Sequence, residues 1–199
     1  MDPCCRAGGL LDPAGSLSDR LSALTASLLV EAMPLIAAAG SGPEAERLQR
    51  LGVRPQGEEG LTYARLLTKD DLLLPWKDSA LALHRRVMGL HPNAFSYWRG
   101  RRFKVRSSEP LVLRLRDQLS LEVAPLAERW GQQAGAPPLG LPGEVLACEP
   151  GLGLVVATGG CPLLIREGQL EGKAPAGGQA LLQQLEPAPG EAFSDRPAP

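Results

Sequence analysis

The sequence predicts an α+β fold, mainly β: a small, partly closed antiparallel barrel preceded by a lone amphipathic helix and a linker. Three observations lead there. Three short apolar runs, 143–149, 152–158 and 162–169, are separated only by tight turns at Pro150-Gly151 and Gly159-Gly160. Strands that close in sequence pair antiparallel, because a parallel crossover takes about a dozen residues or more. Phe103 and Val105 alternate with Arg102, Lys104 and Arg106, the two-residue period of a half-buried strand with a cationic outer face. One long apolar stripe with helical spacing stands near the N-terminus, apart from the strands. Small barrels of this kind commonly bind nucleic acid along one face.

The elements follow in order. Residues 1–15 read as coil. Ser16-Leu17-Ser18-Asp19 resembles a capping-box start, and Leu17, Leu21, Leu24, Leu28, Ala32 and Leu35 continue at steps of three and four. Pro34 should bend or end this helix, and Gly40 should close it. Residues 40–62 mix Gly, Pro and alternating charge and read as linker; Thr62 to Asp71 is polar and ambiguous. A second helix begins at Asp78 as cap and buries Ala80, Leu83, Val87 and Leu90, with Arg85 and Arg86 off that stripe. Residues 108–132 fit helical steps through Leu111, Leu115, Leu119, Leu126 and Trp130 better than alternation, which makes 108–142 an inserted, partly helical piece. A Gly/Pro loop, 133–142, precedes the three strands, and 178–185 reads as a last short helix. From Pro187 the chain is so rich in Pro, Gly and charge that 187–199 is expected to be a disordered tail.

Composition narrows the chemistry. The 199 residues allow one domain or two small ones, and 44% hydrophobic content supports a core. No run approaches the ~20 apolar residues that span a bilayer. The opening Met1-Asp2-Pro3-Cys4-Cys5-Arg6 lacks a basic region followed by an apolar core, so a cytoplasmic protein with no membrane contact is expected. Cys4, Cys5, Cys148 and Cys161 form no Cys-x-x-Cys pair and have two His for company, so no metal site is expected.

The net charge of −1 hides a basic island. From His84 to Arg116 nine Arg or Lys stand against one acid, Glu109, a balance of +8; the rest of the chain holds twelve bases and twenty-one acids, or −9. Four aromatics, Phe95, Tyr97, Trp98 and Phe103, are interleaved with these cations. Cations mixed with flat rings suit RNA, a polyanion with stackable faces. The candidate contacts are Arg85, Arg86, Arg99, Arg101, Arg102, Lys104 and Arg106, with Lys173 added by the resemblance of its Gln-Leu-x-Gly-Lys turn given below. A solvated strand edge is the blander reading of Arg101, Arg102, Lys104 and Arg106. That reading normally brings interspersed acids, and none lies between Asp78 and Glu109. For Arg85 and Arg86 the two readings balance, and a lone turn lysine such as Lys173 more often serves solubility. Phe95 and Phe103 are expected in the core, with Tyr97 and Trp98 open to either role. His84 and His91 read as structural. Asp70-Asp71 has no positioned partner, and Gly151-Leu152-Gly153 and Gly159-Gly160 lack the Lys-Ser/Thr and following helix of a phosphate loop.

Seven short landmarks, met in order, carry a resemblance. They are Thr62-Tyr63-Ala64, Trp76-Lys77-Asp78-Ser79-Ala80, Gly89-Leu90-His91-Pro92, Gly100-Arg101-Arg102-Phe103-Lys104-Val105, Gly143-Glu144-Val145-Leu146, Val156-Ala157-Thr158-Gly159-Gly160 and Gln169-Leu170-Glu171-Gly172-Lys173. Across roughly residues 16–193 the chain resembles the C-terminal half of the methionyl-tRNA formyltransferase family, with Pro75 where that family has Asp. The resemblance implies an OB-like barrel that, with the linker, holds initiator methionyl-tRNA. In that family a Rossmann-like domain moves the formyl group from 10-formyltetrahydrofolate to the methionyl amine. Its chemistry uses an Asn, a His, an Asp and a Ser-Leu-Leu-Pro loop. This chain has one Asn, Asn93, in a turn, and no such loop, so it is expected to carry no catalytic residue and no cofactor of its own. Met1-Asp2-Pro3-Cys4-Cys5-Arg6-Ala7-Gly8 resembles an altered form of the family's Met-x-x-Gly-Leu-Asp-Thr-Gly, with Arg6 in place of the catalytic aspartate. The implied organisation is a catalytic-domain remnant at 1–39, a linker at 40–74 and a tRNA-binding OB-like domain at 75–186. The expected partners are initiator methionyl-tRNA and a separate formyltransferase catalytic chain. A truncated copy of an active formyltransferase and a sugar-nucleotide formyltransferase relative are the alternatives.

Overall fold

A computed structural model describes residues 9–54, 57–131 and 137–196. Two compact units appear among these residues, one within Ser16–Leu66 and one within 67–196 together with 9–15. The segment Met1–Gly8 compared above with the catalytic aspartate lies outside the described residues.

The first unit is helical. Helix α1 spans Ala14–Ala38, starting two residues before Ser16, so that serine lies within the first turn rather than at the cap. It runs through Pro34, which forfeits one backbone donor without stopping the helix. Gly40 closes it at φ 66°. None of its 25 residues is buried. Contrary to the expectation that no run approaches membrane-spanning length, α1 is long and apolar enough to cross a bilayer by length and composition. Ala, Ser and Thr dilute its leucines without adding charge, which hides the run from a count of strongly apolar residues. A second correction is helix α2, Glu44–Arg50, inside the expected linker. Glu44 and Glu46 favour its positive N-terminal end. Arg50 bonds back to Ala39 O (2.7 Å) and Glu46 Oε2 (3.1 Å), contacts without apolar periodicity.

The second unit is an antiparallel sheet. Its strands are β1 (Phe95–Trp98), β2 (Arg101–Pro110), β3 (Val145–Glu149), β4 (Gly153–Val156), β5 (Leu163–Leu170) and β6 (Ala176–Gly177). The order is β1-β2-β5-β4-β3, with β6 on β5. Strands β3, β4 and β5 thus pair as their short turns require. Helix α3, Ala80–Gly89, is capped by Ser79, whose Oγ accepts from Ala82 N at 3.3 Å, one residue after the expected Asp78. It buries Ala80, Leu83, His84, Val87 and Met88, and Arg85 stays exposed. The main core joins these to Trp76, Trp98, Phe103, Val105, Leu154, Ile165 and, from helix α5 (Gly178–Leu185), Leu181 and Leu185.

The inserted piece is partly helical, as its spacing suggests. A 3-10 turn at Leu113–Gln118 and helix α4, Ala124–Trp130, build a smaller core of Leu111, Leu119, Val123, Leu126 and Ala127 against Val155 and Leu164. The segment after α5 departs from expectation. Rather than a disordered tail, residues 187–196 are placed, and Phe193 is only 2% exposed among Trp76, Trp98 and Phe103. One ring in the right register outweighs the polar composition around it.

Candidate nucleic-acid interface

The β1–β2 hairpin positions the basic island. Arg99 (φ 47°) and Gly100 (φ 75°) both take the left-handed region, the pair of conformations a two-residue hairpin turn demands. Register then sorts the side chains, because directly opposed residues share a face. Phe95 pairs with Lys104, Tyr97 with Arg102, and Lys104 with Gln169 on β5. These five lie on the outer face. Ser96, Trp98, Phe103 and Val105 point inward, where Trp76 Nε1 donates to Ser96 Oγ at 2.8 Å.

Phe103 and Trp98 are therefore core, at 0% and 2% exposure. Phe95 is buried as expected, but on the opposite face, under the guanidinium of Arg102 4.0 Å from its ring centre and edge-on to Tyr97 at 5.7 Å. Arg102 Nε is buried without a hydrogen-bond partner among the described residues, which leaves that donor unspent. Lys104 Nζ donates to Asn93 Oδ1 at 3.3 Å. Arg101 reaches the backbone carbonyl of Glu171. Lys173 is exposed in the turn after β5, its carbonyl accepting from Gln169 Nε2 at 3.0 Å. Arg102, Lys104, Gln169, Glu171 and Gly172 line an open depression of about 230 Å³.

The other candidates divide. Arg99 is held in a two-pronged pair with Glu191, both contacts 2.8 Å, and donates to Glu186 O at 3.1 Å. The hydrogen bond to Glu191 raises the Arg99 pKa, and the same bond lowers that of Glu191, so both stay charged. Arg106 is paired with Glu167 at 2.8 Å. Arg86 donates to Leu73 O at 2.8 Å and ties α3 to the chain before it. These three thus have partners within the domain, long-range acids and carbonyls invisible to local sequence. Arg85 makes no hydrogen bond or ion pair among the described residues. Gln169 is an addition: only the β2–β5 register reveals that it faces Lys104.

Asn93 and the histidine of α3 are both engaged within the fold. Asn93 is engaged by Lys104, and His84 is fully buried between Leu10 O (2.7 Å) and Ser108 Oγ (3.2 Å). Burial lowers the His84 pKa below its ordinary 6.5, which keeps the ring neutral. Among the described residues no cluster of His, Cys, Asp and Glu could hold a metal.

Known proteins with the same sequence pattern are formyltransferases. The family described as Formyl transferase, C-terminal domain, matches residues 66–186. The chain is 55% identical over 177 residues to a methionyl-tRNA formyltransferase of Synechococcus sp. (strain RCC307), covering 88% of this chain and 52% of that protein. It is 56% identical over 185 residues to one from Prochlorococcus marinus (strain MIT 9313), covering 92% and 53%. It is 53% identical over 189 residues to one from Parasynechococcus marenigrum (strain WH8102), covering 94% and 54%. The chain thus spans about half the length of these relatives. With more than half of its residues inside the matched domain, and an antiparallel α+β unit built from them, the chain belongs to the formyltransferase family through its C-terminal domain.

Proposed function

We propose that this chain is the tRNA-holding C-terminal portion of a methionyl-tRNA formyltransferase, the cytoplasmic enzyme of translation initiation that formylates initiator methionyl-tRNA. The observation that carries the reading is the outer face of β1, β2 and the end of β5. Arg102 and Lys104 stand there with Gln169 beside the half-buried ring of Tyr97, Glu171 is the one acid lining the depression, and the exposed Arg101 and Lys173 flank it from the hairpin turn and the turn after β5. Cations on a strand face grip phosphates, and the ring and the Gln169 amide add sites for an unpaired base. Arg85 extends the set as a further exposed cation, whereas Arg86, Arg99 and Arg106 are engaged within the domain. The Asn, His and Asp that the family uses for formyl transfer have no counterpart here, and neither does its folate loop, so no step involving 10-formyltetrahydrofolate is assigned to these residues. Catalysis then belongs to a partner surface, either a separate formyltransferase chain or another segment of a longer protein. The unburied apolar length of α1 supports such a surface.

The test is a titration of the full chain with initiator tRNA. Reversing three charges together, Arg101→Glu, Arg102→Glu and Lys104→Glu, should weaken binding by about 100-fold or more at moderate salt. Arg106→Gln should leave affinity within about threefold, since that charge is already paired at the surface. Equal affinity in the triple variant and the parent would remove the RNA reading.

A further inference from the structure

The family match ends at residue 186, yet the ten residues after it are woven into the domain. Gly190–Ser194 runs between the two ends of the sheet order, β1 and β3. On one side Tyr97 N donates to Ser194 O and Ser194 N to Tyr97 O, both at 3.0 Å. On the other, Val145 N donates to Glu191 O (2.7 Å), Gly190 N to Val145 O (3.0 Å) and Phe193 N to Gly143 O (2.9 Å). Ser96 Oγ adds a bond to Ser194 O at 2.8 Å. Between these bonds Phe193 inserts into the core, its ring centre 4.7 Å from Trp98, 5.3 Å from Phe103 and 5.5 Å from Trp76. Gly143 is shaped for the crossing: at φ 93° it favours glycine, and a Cβ there would stand 2.4 Å from Phe193 O. The Arg99–Glu191 pair pins the strap from outside, and Ala188 N donates to Glu191 Oε2 at 2.8 Å.

We propose that residues 187–196 form a closing strap that joins edge strands β1 and β3 into a continuous ring, with Phe193 as its plug. The strap occupies backbone groups that would otherwise be open edges, which are templates for pairing with another chain. Its detachment would uncover β1, β3 and the aromatic core at once, while the β2–β5 pairing could persist. The strap therefore opens as a unit of its own, below the global unfolding of the domain. This inference does not depend on the tRNA reading, since it concerns bonds on the sheet edges alone.

Native-state hydrogen exchange on the unaltered full chain tests it. The amides of Tyr97 and Val145 lie on different strands, and each donates to a carbonyl of the strap. They should exchange with one common opening constant, together with Phe193 and Ser194, and faster than Val105 in the sheet interior. Phe193→Ala should raise exchange at all four by at least about tenfold, and Phe193→Leu should restore most of the protection. Tyr97 and Val145 opening with unrelated constants in the unaltered chain would overturn the proposal. So would four amides that exchange only with global unfolding. The unaltered chain decides the matter even if Phe193→Ala fails to fold.

Discussion

Arg99 and Arg102 stand three residues apart on one hairpin, and the fold uses them differently. Arg99 meets Glu191 from 92 residues away, while Arg102 lies over Phe95 with its Nε unpartnered among the described residues. Local sequence makes both look free, since the acid that neutralises Arg99 lies 92 residues away. Glycine 168 shows the opposite case, a residue whose necessity is purely steric. A Cβ there would stand 2.0 Å from Phe103 Cζ, so Gly168→Ala must displace a ring that is fully buried. Its cost should reach about 2–3 kcal/mol, read as a lowered denaturant midpoint with unchanged slope. His84 gives a pH dependence with a definite sign. Its folded pKa lies below 6.5, so between the folded and unfolded values the unfolded chain binds more protons. The neutral ring's contribution is present above about pH 6.5 and is lost as pH falls. Stability measured at about pH 7.5 and pH 5.5 should drop in the parent and drop less in His84→Gln.

At the scale of elements, the piece between β2 and β3 is latched by charge as well as packing. Glu109, 2% exposed, accepts from Ser120 N and Ser120 Oγ and from Arg166 Nη1, each at 2.8 Å. Arg166 also bonds Glu122. Burial opposes the Arg166 charge, but the bonds to Glu109 and Glu122 outweigh it and raise its pKa. Arg166→Ala leaves a buried carboxylate with only Ser120, and should cost about 2–3 kcal/mol, less than a fully buried pair because Arg166 is partly exposed. Loss of protection should begin in α4 in exchange measurements. Local signals sufficed for some elements: β3, β4 and β5 follow from tight turns, and α5 from 178–185 matches residue for residue. Other elements left no local trace. Helix α2 is held by Arg50 contacts rather than an apolar stripe, and the strap depends on Phe193 finding three distant rings. The candidate interface was half legible. Alternation placed Arg102 and Lys104 outward, but which cations stay unpaired and that Gln169 joins them depend on register.

For the whole molecule, the island of charge at 84–116 and the two-unit organisation carry the account. Residues 51–66, where described, form neither helix nor strand and are exposed or nearly so. Limited proteolysis should therefore cut between 51 and 66 before it cuts within 70–196. Early cleavage inside β2 or β5 would contradict the compactness of the second unit. The most direct test of the central claim is the salt dependence of initiator tRNA binding by the full chain. Four to six phosphate contacts should give a log–log slope of roughly −3 to −5, and the Arg101/Arg102/Lys104 charge reversal should flatten it by about 2 or more. A slope near zero in the parent, or the same slope in parent and variant, would contradict a cationic strand face that grips RNA.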